Sequence, residues 1–376
     1  MRINLERDHK KNLSRRNQYL MQDANNTREL KIQLPRNYED NLEKSYPLIV
    51  VFDGDYLFEV VTGNVDYYSY WDDMPEAIVV GINQNDLRIE DCSISMEDYL
   101  PSETGARFYD FIENELINYM IENYRSLDFR VAIGHGETAN FMNYFMFNSR
   151  PIFNAYVALS PSLSYKMDEN LTRRLSLESN DKTFYYLSTG TRDIKQNKKE
   201  AIALNTTIST FENTNLLYTF DNFEDATHYT LVAHSIPKAL QRIFFVFQPI
   251  SKSEYNDYIL PLETSPVSYL NEKYDMIKTL FGIEKQILVN DFRAIAAAIE
   301  RTKQYEYFQD LAKIASKHHP DTIMASFYLA RYYEEIGKLK KAMNVYRSAY
   351  MLNEIEGYSK DDMLERADEI KAEYGD

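Results

Sequence analysis

The sequence predicts an α/β protein: a doubly wound, mostly parallel sheet covered by helices on both faces, followed by a small all-α domain. Between about residues 28 and 250, short β-branched or aromatic runs alternate with segments of helical period, as crossover helices joining parallel strands require. Two of those runs, PLIVVFD and EAIVVGI, are almost continuously apolar, the pattern of strands buried on both faces. Beyond about residue 275 the β-type runs stop and only helix-period text remains.

Taken in order, ELKIQLP alternates and stops at Pro35, and the two apolar runs follow it. FRVAIG, FNAYVALS, TFYYLSTG and NLLYTFD come next, each closing on a turn residue. ARFYDFIENELINYMIENYR reads as a helix with Phe108, Phe111, Ile112, Leu116, Tyr119 and Met120 on one face. The tyrosine-rich NVDYYSYWDD either borders a pocket as a lid or covers the sheet edge. EKQILVNDFRAIAAAIERTKQYEYFQDLAKIASKHHP and DTIMASFYLARYYEEIGKLKKAMNVYRSAYMLNE predict four consecutive helices, with a final one near the C-terminus. Ala330, Tyr333, Gly337, Ala342, Tyr346 and Ala349 resemble the small and aromatic spacing of a tetratricopeptide repeat. One good repeat, one degenerate repeat and a capping helix fit this region, as a peptide-binding groove or as a helical buttress. The expected organisation is an N-terminal segment (1–27), the α/β domain (28–255), a linker (256–284) and the helical domain (285–376).

Composition narrows the function. Asp and Glu number 58 against 42 Lys and Arg, a formal charge of −16, which opposes phosphate backbones and argues against nucleic acid as a partner. The single cysteine, Cys92, excludes an intrachain disulfide and any cysteine-based zinc site, and leaves the compartment open. MRINLERDHKKNLSRRNQYL is charged throughout, and no run elsewhere is long and apolar enough for a membrane span. A soluble chain is expected, cytoplasmic as given and periplasmic or exported if a leader has been removed. His318-His319 lacks a third ligand at metal spacing and no phosphate-cradling glycine loop occurs, so neither metal nor cofactor is expected.

VAIGHGETANF runs from a strand through a glycine-bracketed turn into a helix, the context in which a G-x-S-x-G nucleophile is presented. Here the chain resembles the esterase D and enterochelin-esterase-like family of the α/β-hydrolase superfamily, whose motif reads G-H-S-x-G-G. The resemblance covers about residues 28 to 250, in order: YPLIVVFDGDYLF, IVVGINQNDLRIED with Arg88 and Asp91, FYDFIENELINYMIENYR, AIGHGETA, NAYVALSPSL, STGTRD and FEDATHY. Gly134 and His135 match, but Gly136 stands at the serine and Glu137, Thr138 and Ala139 replace x-G-G. Since Thr138 and Ala139 also depart from the pattern, a single engineered exchange of serine for glycine does not account for the change.

The resemblance implies His228 in DATHY as the base and Asp193 in TGTRD as its orienting acid, with His234 as a competing base. It implies oxyanion donors at the amides of Glu137 and of Gly54 or Asp55. Glu137 is expected to aim away from His228, Ser160 and Ser162 to be turn and packing residues, and His135 to be structural. Without the serine no acyl intermediate forms by the family route, and glycine relieves a strained elbow. The leading expectation is a catalytically inactive, esterase-like α/β-hydrolase that binds a small acyl ligand or a protein. The alternatives are an active carboxylic ester or thioester hydrolase with a non-standard mechanism, such as water activated by His228, and a docking protein that takes a protein or peptide through its C-terminal helices.

Overall fold

The structure, a computed structural model, describes residues 16–22, 27–179 and 181–374. Residues 1–15 and 23–26 of the expected N-terminal segment, and most of the stretch searched for a leader, lie outside the described residues. The chain forms two compact units, one running to Phe247 and including Leu280–Ile283, the other made of Gln248–Thr279 and Glu284–Asp376.

Among the described residues the first unit is built on an eight-stranded sheet in the order β1-β2-β4-β3-β5-β6-β7-β8. These strands are β1 Arg16–Gln22, β2 Thr27–Gln33, β3 Tyr46–Val51, β4 Ile78–Asn83, β5 Ser126–His135, β6 Ala155–Leu159, β7 Thr183–Arg192 and β8 Leu216–Thr227. The first two pair antiparallel to each other and β2 antiparallel to β4, while β4 through β8 run parallel. Every residue of β3, β4 and β6 is buried, as their unbroken apolar text requires. β1 lies within the segment expected to precede the domain; its sequence RNQYLMQ is too polar to have announced a core strand.

Helix α1 (Phe58–Tyr70) crosses from β3 to β4. Because both strands are parallel, α1 runs back and delivers Tyr67, Tyr70 and Trp71, all exposed, to the amino ends of the strands. Arg36, which leaves antiparallel β2 at that same end, pairs with Asp66 and lies over the Tyr70 ring. NVDYYSYWDD therefore cannot be a lid over the carboxyl ends. The following helical stretch comprises α2 (Glu103–Asp110), a π-helical turn over Phe111–Leu116 and α3 (Ile117–Asn123); all six apolar positions expected on its inner face are buried. α4 (Glu137–Phe141), α5 (Met167–Ser176), α6 (Lys195–Ile208) and α7 (Leu231–Ile243) complete the layers. The winding direction reverses between β3 and β5, and sheets of this kind form their binding crevice beyond the carboxyl ends of the strands at such a point.

The second unit is helical. Residues 256–284 were expected as a linker, but they hold α8 (Pro266–Phe281). Val267, Leu270, Tyr274, Ile277 and Phe281 recur every three to four residues and are all buried, a periodicity that forms a packed helix. α9 (Val289–Thr302), α10 (Phe308–His318), α11 (Ile323–Glu335), α12 (Leu339–Ser348) and α13 (Lys360–Tyr374) follow. Ala330, Ala342, Tyr346 and Ala349 share one buried cluster with Met363, Ala367 and Ile370, the small alanines letting the helices approach closely around the Tyr346 ring. Gly337 turns between α11 and α12 with φ +72°.

Candidate active site

Strand β5 ends at His135, and α4 begins at Glu137. Between them Gly136 has φ 62° and ψ −116°, a conformation glycine adopts freely and other residues only at a cost of about 1–3 kcal/mol. Its amide donates to the Leu159 carbonyl at 3.0 Å, and its carbonyl accepts from the Ser162 amide at 3.0 Å. Gly134 is required for a different reason: a Cβ there would lie 2.7 Å from the backbone of Thr138 and Ala139, so only glycine lets α4 fold back onto β5. A Cβ at Gly136 would meet nothing nearer than Arg88 Nη2 at 3.5 Å and His228 Cε1 and Nε2 at 3.7 Å. Space for a side chain exists at the elbow, and it faces an imidazole.

That imidazole is already oriented. His228 follows β8, and its Nδ1 lies 3.0 Å from Asp193 Oδ1, which follows β7. The covered Asp193 carboxylate also accepts from Ser160 Oγ at 2.9 Å, the Ile194 amide at 2.7 Å and, through Oδ2, Thr189 Oγ1 at 2.7 Å. Burial pushes its pKa up, but these donors with His228 outweigh it and bring it down to about 2. His228 Nδ1 points to the ionised Asp193, and its Nε2 faces Gly136.

Ser160 belongs to this arrangement. Fully buried with φ +45°, it places Oγ 2.9 Å from His228 Nδ1 and is held by Asn197 through its carbonyl at 3.0 Å. Its Oγ thus lies between the Asp193 carboxylate and the Nδ1 side of the imidazole, away from the Nε2 that faces Gly136. ALSPSL gave no hint of this beyond a serine after a strand. His135, expected to be structural, stacks on His228 with centroids 4.2 Å apart. It donates from Nε2 to the His228 carbonyl at 3.0 Å, and its Nδ1 lies 3.0 Å from the Tyr56 hydroxyl, which is also 3.0 Å from Asp53 Oδ2. Burial, with the nearby His228 and Arg88, lowers its pKa to about 4.

A second network caps the elbow. Asp53, fully buried, accepts from Arg88 Nε at 2.6 Å and from Thr138 Oγ1 at 2.6 Å. Burial raises its pKa against the opposing pull of Arg88. Arg88 Nη2 donates to the His135 carbonyl at 2.8 Å, and Nη1 donates to Glu137 Oε2. Burial raises the Glu137 pKa, but a hydrogen bond from its own amide and the Arg88 guanidinium outweigh this and lower it. The Glu137 carboxylate therefore lies beside the elbow, paired with Arg88. Gly54 does not supply the second expected donor: its amide is spent on the Ile82 carbonyl at 2.8 Å, and a Cβ there would lie 2.8 Å from the Gly81 carbonyl carbon. Asp55 pins the neighbouring loop, its Oδ1 accepting from the Gln84 amide at 2.8 Å.

The remaining sequence candidates lie elsewhere. His234 sits exposed on α7 and stacks on Phe223. His319 bonds to the Ile287 carbonyl within the helical unit. Among the described residues no group of three or more His, Cys, Asp or Glu is arranged around a metal position, and no helix is long and apolar enough to cross a membrane.

This sheet, with an elbow after β5 and the acid and histidine after β7 and β8, is the α/β-hydrolase fold. No protein-family model and no curated protein matches the sequence. Among solved structures the chain is similar to an uncharacterised protein from Capnocytophaga ochracea, with 29% identity over 95% of this chain and 99% of that one and a TM-score of 0.85. It is also similar to an IroE-like serine hydrolase from Shewanella oneidensis (19% identity, 80% and 98% covered, TM-score 0.59). A third similar structure is siderophore hydrolase EstB from Aspergillus nidulans (18% identity, 62% and 96% covered, TM-score 0.52).

Proposed function

We propose that this protein is an esterase-type α/β-hydrolase that has lost its covalent nucleophile and works by binding an acyl ligand in the crevice. The observation that carries this is Gly136, in an elbow conformation and facing His228 Nε2, with no side-chain oxygen to attack a carbonyl. Asp193 Oδ1 lies 3.0 Å from His228 Nδ1, on the side of the imidazole away from Gly136, which supports reading the two as orienting acid and base. Without the nucleophile, such machinery retains only the acceleration from oxyanion donors and binding, about 10³ to 10⁴ over water.

The test is hydrolysis of p-nitrophenyl butyrate by the wild type, His228→Asn and Gly136→Ser. The wild type is expected to match His228→Asn, and Gly136→Ser to gain turnover that a second His228→Asn change abolishes. His228-dependent turnover by the wild type refutes the inactive reading. It would favour direct attack by water on the ester, with His228 as general base, which the ionised Asp193 behind His228 also favours.

The tetratricopeptide-like reading of the helical unit rests on Ala330, Ala342, Tyr346 and Ala349, all buried in one cluster. It gives the unit the role of docking a peptide or protein.

A further inference from the structure

The side of Gly136 that faces His228 is lined by two nitrogens, Arg88 Nη2 and His228 Nε2, within 3.7 Å of the same point. Arg88 is held rigidly. Its Nε is committed to buried Asp53 and its Nη2 to the His135 carbonyl, so Nη1 is the arm that reaches outward. That arm carries a carboxylate, Glu137, whose side chain is half exposed and tethered by no other side chain among the described residues. The chain thus places a carboxylate of its own on the guanidinium beside the elbow.

We propose that the ligand of this site is an organic monocarboxylic acid, bound as its anion to Arg88 beside His228, and that Glu137 occupies the ligand's place on Arg88 when the site is empty. This rests on the ligand-binding reading above and adds the ligand's class. Exchange of Glu137 for an external carboxylate leaves Arg88 with the same kind of partner, so the guanidinium is neither stranded nor newly desolvated. A monoanion fits better than a phosphate or sulfate dianion, because Asp53 and the ionised Asp193 already surround the position with negative charge. Glu137 moves toward water, where half of its side chain already lies.

The full chain titrated with sodium butyrate by calorimetry, with butyramide as the neutral control, tests this. Glu137→Gln is expected to bind butyrate at least about tenfold more tightly than the wild type, the effect of removing a charge-assisted competitor, and to show no butyramide binding. Glu137→Ala should behave alike, and Arg88→Lys in the Glu137→Gln background should weaken binding at least about tenfold, since lysine lacks the second arm that holds the guanidinium in place. Equal butyrate affinity in the wild type and both Glu137 variants, or equal affinity for butyrate and butyramide, overturns the proposal. If butyrate fails to bind while Gly136→Ser gains esterase turnover, the acyl pocket stands and the carboxylate inference falls.

Discussion

Restoring a hydroxyl at the elbow should cost the fold stability. Gly136 has φ 62° and ψ −116°, and holding an L-residue there costs about 1–3 kcal/mol. A Cβ would have only ordinary contacts, the nearest at 3.5 Å, so no steric penalty adds to the strain. Replacing glycine also stiffens the unfolded chain, which returns about 0.4–1 kcal/mol. The net expectation for Gly136→Ser is a loss of about 1–2 kcal/mol, or roughly half a molar in the urea midpoint for a unit of this size. Trp71, the single tryptophan, lies in the first unit, so its fluorescence follows that unit through the transition. Gly136→Ala carries the same backbone strain without the hydroxyl and should lose as much while gaining no activity. A serine variant as stable as the wild type would refute the strain argument, and with it the claim that glycine relaxes this turn.

Two further outcomes follow from buried groups. His135 should stay neutral, with its hydrogen on Nε2, down to about pH 4. The unfolded chain takes up this proton near pH 6.5, so His135 erodes stability as pH falls from there toward 4; ¹⁵N NMR of the imidazole showing a midpoint near 6.5 would contradict its placement. Asp91 forms a bidentate pair with Arg28 at 2.6 Å on both arms, both side chains almost fully buried. Asp91→Ala should therefore lose about 3–5 kcal/mol, and a loss under about 1 kcal/mol in urea unfolding would mean that the guanidinium finds another partner.

Much of this molecule was legible in its residues. Continuous apolar runs announced β3 and β4 because burial on both faces leaves no polar position, and GHGE between a strand and a helix announced the elbow because few other turns need two glycines so close. His228 and Asp193 were reachable only through the resemblance, since a histidine after DAT and an aspartate after GTR carry no periodicity. What escaped was long-range and polar. Nothing in NDLRIED shows that Arg88 will meet Asp53, His135 and Glu137, which lie 35 to 49 positions away. Ser160 looked like a turn residue because its role depends on where β6 ends relative to β7 and β8. Gly54 misled in the other direction: a glycine beside a strand end suggested an open amide, whereas the close passage of Gly81 and Ile82 is what demands it.

Asp193 is anchored by a threonine, a serine and a backbone amide as well as by the imidazole. The carboxylate stays in place whether or not anything is ever deprotonated at position 136, because folding alone holds it there. An acid and an imidazole held in this way are thus weak testimony for turnover, and what stands at the elbow tells more.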